Sequence, residues 1–280
     1  MLSEKELQQK NRSFNELTAK EWTSYSASVI KGLSSPRNSH CLNHGATFPQ
    51  KLSDRLITCY SKPNDTVLDI FLGTGTTLAS CVELNRQGIG IELTDRFYDV
   101  ANEYLSETYP NGNYSIIKGD CEDQLLQLQK ESVQLVVTSP PYADLIHKVV
   151  KDRQTTHKNS VYSTENGATT NVYSENPNDL GNMPLQEYRE KIQKIMNNLY
   201  PVLKKGGYNV WIVQDFRDTK NKMPYIDLHT IVADCGKKAG FTYHDLIVWD
   251  RNDYRKLVCI GYPSVFYSNI NHAFIVVMRK

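Results

Sequence analysis

A chain of 280 residues is long enough for one large α/β domain or two small ones with a substantial core. Its 32 Lys and Arg residues against 31 Asp and Glu residues exclude a strong overall field, so any binding to nucleic acid has to come from a local basic surface. Six scattered cysteines without zinc spacing argue against a disulfide framework and a metal site, and no apolar run reaches the roughly 18 residues of a membrane span. We expect a cytoplasmic protein with neither metal nor membrane segment.

The first 46 residues are predicted to be an N-terminal extension that packs on the main domain. Residues 3–20 have a weak helical pattern, and residues 22–44 are Ser-rich and predicted to be an irregular connection. His40 and His44 are interpreted as loop residues, since no further metal ligands cluster near them.

From Thr47 onward the sequence alternates between helical and strand patterns, which predicts a single domain over residues 47–280. A helix around residues 52–60 comes first, and the next elements are four strands separated by helices. The predicted strands are residues 66–71, 88–93, 114–118 and 133–137. This alternation predicts a parallel sheet that binds its ligands at the carboxyl ends of the strands.

The second half of the chain opens with residues 143–184, which have no periodicity and are predicted to be an inserted loop region that contributes to recognition. A helix over 185–203, a strand over 208–213 and a helix over 226–238 are expected next. Strands over 241–249 and 273–278, joined by a long loop, bring the count to seven.

The motif after the fourth strand is Thr138-Ser139-Pro140-Pro141-Tyr142. Two consecutive prolines fix φ near −65° and remove two N–H donors, and they hold Ser139 in an extended conformation. The result is a stiff rim of carbonyl groups, followed by an aromatic ring that can stack on a planar substrate.

Each of the other three strands is also followed by a chemically distinctive group. Asp69 comes just before the turn Gly73-Thr74-Gly75, which has only two glycines of a dinucleotide fingerprint and lacks the Lys of a P-loop. Glu92 ends the second strand as a candidate acceptor for ribose hydroxyls, and Asp120 follows the third as a candidate acceptor for an adenine amino group. Together the acids favour an adenosyl ligand.

These motifs resemble the amino-group DNA methyltransferases that modify cytosine-N4 or adenine-N6. The resemblance is carried by Phe48-Pro49, by residues 69–77, by Gly90-Ile91-Glu92, by Gly119-Asp120-Cys121 and by the Thr138–Tyr142 motif. It implies a Rossmann-like methyltransferase fold, whose sheet is mostly parallel with an antiparallel last strand and helices on both faces. It also implies a prokaryotic or phage-type enzyme that uses S-adenosylmethionine.

The resemblance also implies roles for individual residues. The residues expected to bind the cofactor are Thr47, Phe48, Pro49, Asp69, Phe71, Gly73, Gly75, Thr76, Thr77, Glu92, Leu93, Asp120, Cys121 and Ser139. The residues expected to hold the flipped base are Ser139, Pro140, Pro141 and Tyr142. Acceptors at Ser139 and Pro140 would draw the exocyclic N–H groups out of the ring plane, and no cysteine nucleophile is required.

Ser at the first loop position favours cytosine, with adenine-N6 or an RNA base as the alternatives and a catalytically silent nucleic-acid-binding protein as the rival class. The cofactor motifs precede the catalytic loop here, whereas many Ser-Pro-Pro-Tyr enzymes have the reverse order. DNA is the expected partner, and a homodimer and a companion restriction endonuclease are left open. Residues expected to contact DNA are Lys148, Lys151, Arg153, Lys158, Arg251, Arg255 and Lys256.

Overall fold

The computed structural model describes residues 13–33, 48–142, 174–218, 222–253 and 255–280. Its strands are β1 (Val29–Ile30), β2 (Thr66–Asp69), β3 (Gln87–Glu92), β4 (Tyr114–Lys118), β5 (Val133–Thr138), β6 (Leu203–Val213), β7 (Phe216–Asp218), β8 (Met223–Ile226), β9 (Thr242–Asp250) and β10 (His272–Arg279). Its α-helices are α1 (Ala19–Tyr25), α2 (Gln50–Tyr60), α3 (Thr76–Glu83), α4 (Asp95–Thr108), α5 (Cys121–Gln124), α6 (Leu185–Val202) and α7 (Leu228–Ala239).

The main sheet has the order β1-β9-β10-β6-β5-β2-β3-β4. Neighbouring strands are parallel except for β10, which is antiparallel to both β6 and β9. The predicted Rossmann-like, mostly parallel sheet with an antiparallel last strand is confirmed. Within the described residues the sheet has eight strands instead of seven, because β1 adds a two-residue edge strand beside β9.

Alternating side chains of the central strands face two helical layers. On β5, Val136 packs in the cluster that contains the apolar faces of α6 and α7, whereas Leu135 and Val137 pack in the cluster that contains α2. On β6, Trp211 and its neighbour Val210 divide in the same way. Because successive side chains on a strand point to opposite faces, an almost continuous apolar run is the expected sequence for a sheet covered on both sides.

Several predicted boundaries were wrong. Helix α1 starts at the capping box formed by Thr18 and Glu21 and extends to Tyr25, into the segment 22–44 that was predicted to be a connection. Of the helix predicted over residues 3–20, residues 13–18 are not helical and residues 3–12 lie outside the described residues. Strand β6 begins at Leu203, five residues earlier than expected, and the predicted sequence of elements lacked the β7–β8 hairpin. The helix expected around residues 125–128 is instead α5 followed by a 3₁₀ turn at Leu125–Gln127.

The described part of the N-terminal segment contacts the domain. Phe14 lies 5.2 Å from the Tyr208 ring, measured between centroids. Asn15 donates to the Cys59 carbonyl at 2.8 Å. No helix among the residues that the structure describes has the length and apolar character needed to cross a membrane.

Candidate active site

Four neighbouring strands, β5, β2, β3 and β4, end side by side at the carboxyl edge of the sheet. Asp69 ends β2, Glu92 ends β3, Asp120 follows β4 and Ser139 follows β5. The sequence therefore brings three carboxylates and the proline-rich motif to one edge, as parallel pairing of these strands requires.

The glycine turn joins β2 to α3 and contains two residues with positive φ. Gly73 has φ of 58°, and Gly75, the residue before the first turn of α3, has φ of 90°. A Cβ at Gly75 would lie 3.0 Å from Cδ1 of Leu105 on α4. Glycine is therefore required here by the backbone and by close packing on α4, in addition to any approach of a ligand.

Asp69 connects the residues on either side of the glycine turn to the end of β5, where the proline-rich loop begins. Its Oδ2 accepts from Thr77 Oγ1 at 2.6 Å, and its Oδ1 accepts from Thr138 Oγ1 at 2.7 Å and from the Phe71 N–H at 3.1 Å. The side chain is fully buried. Burial raises the pKa of Asp69, and the three hydrogen bonds only partly offset that rise. The geometry gives this acid a positioning role beside the expected contact with the cofactor.

Glu92 links the end of β3 to the glycine turn. Its Oε2 accepts from the Gly73 N–H at 2.8 Å, and its Oε1 accepts from the N–H and the hydroxyl of Thr94 at 2.9 and 2.8 Å. Burial raises the pKa of Glu92 against these hydrogen bonds. A carboxylate offers about four acceptor positions, so one remains for a ligand hydroxyl.

Asp120 is held by a lysine that the sequence patterns did not single out. Lys191 on α6 donates to Asp120 Oδ2 and to Glu122 Oε2, both at 2.7 Å, and the other oxygen of Asp120 accepts from the Glu122 N–H at 2.9 Å. Burial acts to lower the pKa of Lys191, but the hydrogen bonds and charges of the two acids outweigh it and raise that pKa. Asp120 keeps about two acceptor positions for a ligand.

The proline-rich loop after β5 starts from a fixed point because Thr138 is fully buried and bound to Asp69. The Oγ atom of Ser139 lies 3.4 Å from the Tyr142 hydroxyl, so the first and last residues of the loop meet. Tyr142 is half-buried and packs against the cluster that contains Tyr188 and Trp211. The loop therefore places a hydroxyl, a carbonyl rim and an aromatic ring together at the end of β5.

The other predicted cofactor residues occupy varied positions. Phe71 contacts Trp211 edge to face, with centroids 5.8 Å apart. Phe48 and Leu93 are half-buried, and Pro49 immediately precedes α2. Thr76 and Thr77 open α3. Cys121 is buried, which raises the pKa of its thiol, and Thr47 lies outside the described residues.

The predicted DNA contacts divide into three groups. Lys148, Lys151, Arg153 and Lys158 lie outside the described residues. Arg251 is only 6% exposed, and its guanidinium donates to the His272 carbonyl at 3.0 Å and lies over the Trp249 ring. This buried position does not suit contact with a DNA phosphate, because the guanidinium is held against the β10 backbone and the Trp249 ring. Arg255 is half-buried and Lys256 is exposed.

A further polar cluster follows β6 and has no counterpart in the sequence prediction. The buried Asp215 accepts from Tyr225 Oη at 2.7 Å, from the Leu228 N–H at 3.0 Å and from the His229 ring, whose Nδ1 also lies 2.8 Å from Asp227. These residues join the exit of β6 to the start of α7. The contacts of Asp215 connect residues 10 to 14 positions apart, a separation at which no local motif marks them.

The chain matches the family described as DNA methylase over residues 2–103 and 133–280. This match covers well over half of the sequence. The chain belongs to that family, which confirms the resemblance to the amino-group DNA methyltransferases and agrees with S-adenosylmethionine as the cofactor.

Curated relatives match over shorter segments. The chain is 47% identical over 70 residues to the Type II methyltransferase M.HinfI of Haemophilus influenzae, which covers 25% of this chain and 20% of the relative. It is 34% identical over 99 residues to the Type II methyltransferase M.BglI of Bacillus subtilis, covering 35% of this chain and 28% of the relative. The matched segments thus span between a fifth and about a quarter of these relatives.

Among solved structures, TrmN from Thermus thermophilus superimposes with a TM-score of 0.50 and 13% identity. The match covers 86% of this chain and 51% of that one. At this identity the likeness shows the fold alone.

Proposed function

We propose that this protein transfers the methyl group of S-adenosylmethionine to the exocyclic amino group of a base extruded from DNA, with cytosine-N4 as the preferred acceptor. The observation that carries the proposal is the Ser139–Tyr142 loop at the end of β5. The preceding residue Thr138 donates to Asp69 Oδ1 at 2.7 Å, and Asp69 also binds Phe71 before the glycine turn and Thr77 after it. A base-binding loop and a cofactor-binding turn joined by one buried carboxylate suit a direct transfer between two bound molecules.

The residues at the ends of β2, β3 and β4 suit an adenosyl cofactor. The glycine turn is stiffened by the bond from the Gly73 N–H to Glu92, and Glu92 and Asp120 retain acceptor capacity for hydroxyl and amino hydrogens. When bound, S-adenosylmethionine supplies a methyl group activated by its sulfonium charge. The protein's part is to hold that group in line with the acceptor nitrogen and to exclude water.

The loop would act on the base by accepting hydrogen bonds. An exocyclic amine conjugated to its ring is a weak nucleophile, because its lone pair is delocalised. Ser139 Oγ and the Pro140 carbonyl are acceptors that can hold the two N–H groups out of the ring plane, while Tyr142 stacks on the extruded ring. After the transfer the methylated amine loses one proton to solvent, with Ser139 Oγ as its hydrogen-bond acceptor, and no covalent intermediate is required.

The choice of cytosine rests on Ser139 at the first position of the loop, and transfer to adenine-N6 or to an RNA base is the second candidate. A silent nucleic-acid-binding protein is the rival of a different class. The connected arrangement of Asp69, Thr77 and Thr138 supports turnover, since mere binding of nucleic acid does not require it.

The test is to incubate the protein with unmethylated DNA and S-adenosylmethionine labelled in its methyl group, and then to analyse the digested nucleosides by mass spectrometry. Label on N4-methylcytosine is expected. Label on N6-methyladenine would overturn the base assignment, and transfer only to RNA would overturn the assignment of DNA. No transfer to any nucleic acid would favour the binding protein.

The remaining predictions belong to this proposal. They are a single domain over residues 47–280 with the 1–46 extension packed on it, recognition by the inserted 143–184 region, a cytoplasmic location, a homodimer and a companion restriction endonuclease. Contacts of Phe14 and Asn15 with the domain support the packing of the extension.

A further inference from the structure

The loop between β9 and β10 exposes a group of apolar side chains. Tyr262 is 82% exposed, Phe266 is 89% exposed, and Val265 between them is also exposed. Two backbone bonds, from the Ser264 N–H and the Val265 N–H to the Gly261 carbonyl, fold residues 261–265 into a compact turn. We call the side chains of Tyr262, Val265 and Phe266 the apolar tip.

The base of this loop is held by polar contacts. The side chain of Asn269 both donates to the Val258 carbonyl and accepts from the Val258 N–H, at 2.9 and 3.0 Å. Arg217 from the β7–β8 hairpin donates to the Ser268 carbonyl at 3.0 Å and lies over the Tyr267 ring at 5.0 Å. Apolar side chains projecting from a fixed base into solvent indicate a surface that binds a partner.

The position of the loop indicates which partner. Because β10 runs antiparallel, the loop lies at the carboxyl edge of the sheet, the edge that also presents Ser139. Only β6 separates β10 from β5, so the strand ends lie about 10 Å apart, within the roughly 12 Å width of a DNA major groove. Lys256 is exposed on the same loop and supplies positive charge.

We propose that the apolar tip inserts between base pairs of duplex DNA and fills the space left by the extruded base. This inference rests on the proposed function. It assigns the opening of the duplex to the β9–β10 loop, whereas Tyr142 is proposed to stack on the flipped base. Apolar side chains are the groups that proteins use as wedges at base steps. A second copy of this chain fits less well, since three side chains fall short of the roughly 800 Å² per partner of a stable interface.

The test compares the double variant Tyr262→Ala/Phe266→Ala with wild type and with Leu126→Ala. Leu126 is a matched control, because it is 65% exposed but lies on the 3₁₀ turn that leads to the opposite end of β5. Labelled methyl transfer is measured on native plasmid and on the same plasmid after linearisation, heat denaturation and rapid cooling. The linking number is measured after relaxing the plasmid with a topoisomerase in the presence of protein and S-adenosylhomocysteine.

We expect the double variant to transfer methyl to native plasmid about tenfold more slowly than wild type, the scale of a lost stacking contact, and to retain its rate on denatured DNA. Wild type and Leu126→Ala should unwind the plasmid, and the double variant should not. Equal losses on both substrates, unchanged transfer, or unwinding equal to wild type would overturn the wedge. So would a wild-type dimer that the double variant abolishes.

Failure of the proposed function has a different signature. If wild type transfers methyl to neither form of DNA, the proposed function fails, while the linking number still decides whether the tip inserts. Circular dichroism and urea unfolding of the double variant verify its fold, which substitutions at exposed positions should preserve.

Discussion

The carboxyl edge of the sheet has two parts that differ in which side chains are buried and which are exposed. Around the ends of β2, β3 and β5, the polar groups are buried and bind one another, as Asp69 does with Thr77 and Thr138. Around β9 and β10, the polar contacts hold the base of a loop, and apolar side chains point into solvent. The first arrangement suits a small ligand that must be held in a precise position. The second suits contact with a large partner such as duplex DNA.

The largest effect is expected from Gly75→Val in the buried part. The left-handed backbone costs about 1–2 kcal/mol, and the clash with Leu105 adds about 1–3 kcal/mol, so cofactor binding should be lost with stability. Gly32→Val is the control, since Gly32 also has positive φ but a Cβ added there would meet no atom within 4 Å. For each variant, urea unfolding measures the stability and calorimetric titration with S-adenosylmethionine measures the cofactor affinity. Equal losses in the two variants would rule out packing on Leu105 as the cause.

Ser139→Ala should lower turnover by about 100-fold, the scale of one lost transition-state hydrogen bond, because the acceptor for the amine is removed. Its affinity for S-adenosylmethionine should stay within about twofold of wild type, since the glycine turn and Glu92 are untouched. Single-turnover kinetics and equilibrium dialysis separate the two quantities. A parallel loss of both would place Ser139 in the cofactor site alone.

Thr138→Val tests whether Asp69 joins the two binding sites. The variant keeps the shape but removes the donor to Asp69 Oδ1, and leaving that buried carboxylate with fewer partners should cost about 1–3 kcal/mol of unfolding free energy. Thr66→Val is the control, because the Thr66 hydroxyl makes an exposed 3.4 Å contact with the Gln87 side chain. A Thr138→Val protein as stable and as active as the control would show that the link is dispensable.

The smallest effect concerns the cluster after β6. Burial acts to lower the pKa of His229, but the hydrogen bond and charge of Asp215 raise it above the ordinary value of 6.5. For Asp215, burial acts to raise the pKa, and the hydrogen bonds from His229 and Tyr225 bring it below 3.8. The pair therefore makes its full contribution to the free energy of unfolding between pH 3.8 and pH 6.5, the ordinary pKa values of the two groups.

The stability contributed by His229 is lost as the pH rises through the raised pKa of its imidazole. The stability contributed by Asp215 is lost as the pH falls through the lowered pKa of its carboxyl group. His229→Gln should flatten the decline of unfolding free energy above pH 6.5, measured by urea titration across pH. His244→Gln, outside the cluster, serves as the control. A decline that persists unchanged in His229→Gln would exclude this pair as its source.

The strand ends were predictable because local signals mark them. Short apolar runs, glycines and prolines gave the positions of Asp69, Glu92, Asp120 and Ser139, and parallel pairing then dictates a shared edge. Lys191 could not be found in this way, since its bonds to Asp120 span 71 residues and a lysine on an amphipathic helix is normally solvated.

The misplacements have a similar physical origin. The two-residue strand β1 exists only because β9 supplies its partner, and so no periodic pattern predicts it. Arg251 was predicted to contact DNA because of its positive charge, yet its guanidinium lies over the Trp249 ring at the start of the β9–β10 loop. Sequence reasoning thus located positions that local signals mark and missed contacts that depend on a distant neighbour.

The central place of β10 has a consequence for the order in which the protein becomes active during synthesis. Strand β10 lies between β6 and β9, although it is the last of them to leave the ribosome. The nascent chain can therefore assemble β2 to β5, with the glycine turn and the Ser139 loop, while β9 still lacks the neighbour that joins it to the sheet. The loop proposed to open DNA gains its fixed base only when β10 is inserted.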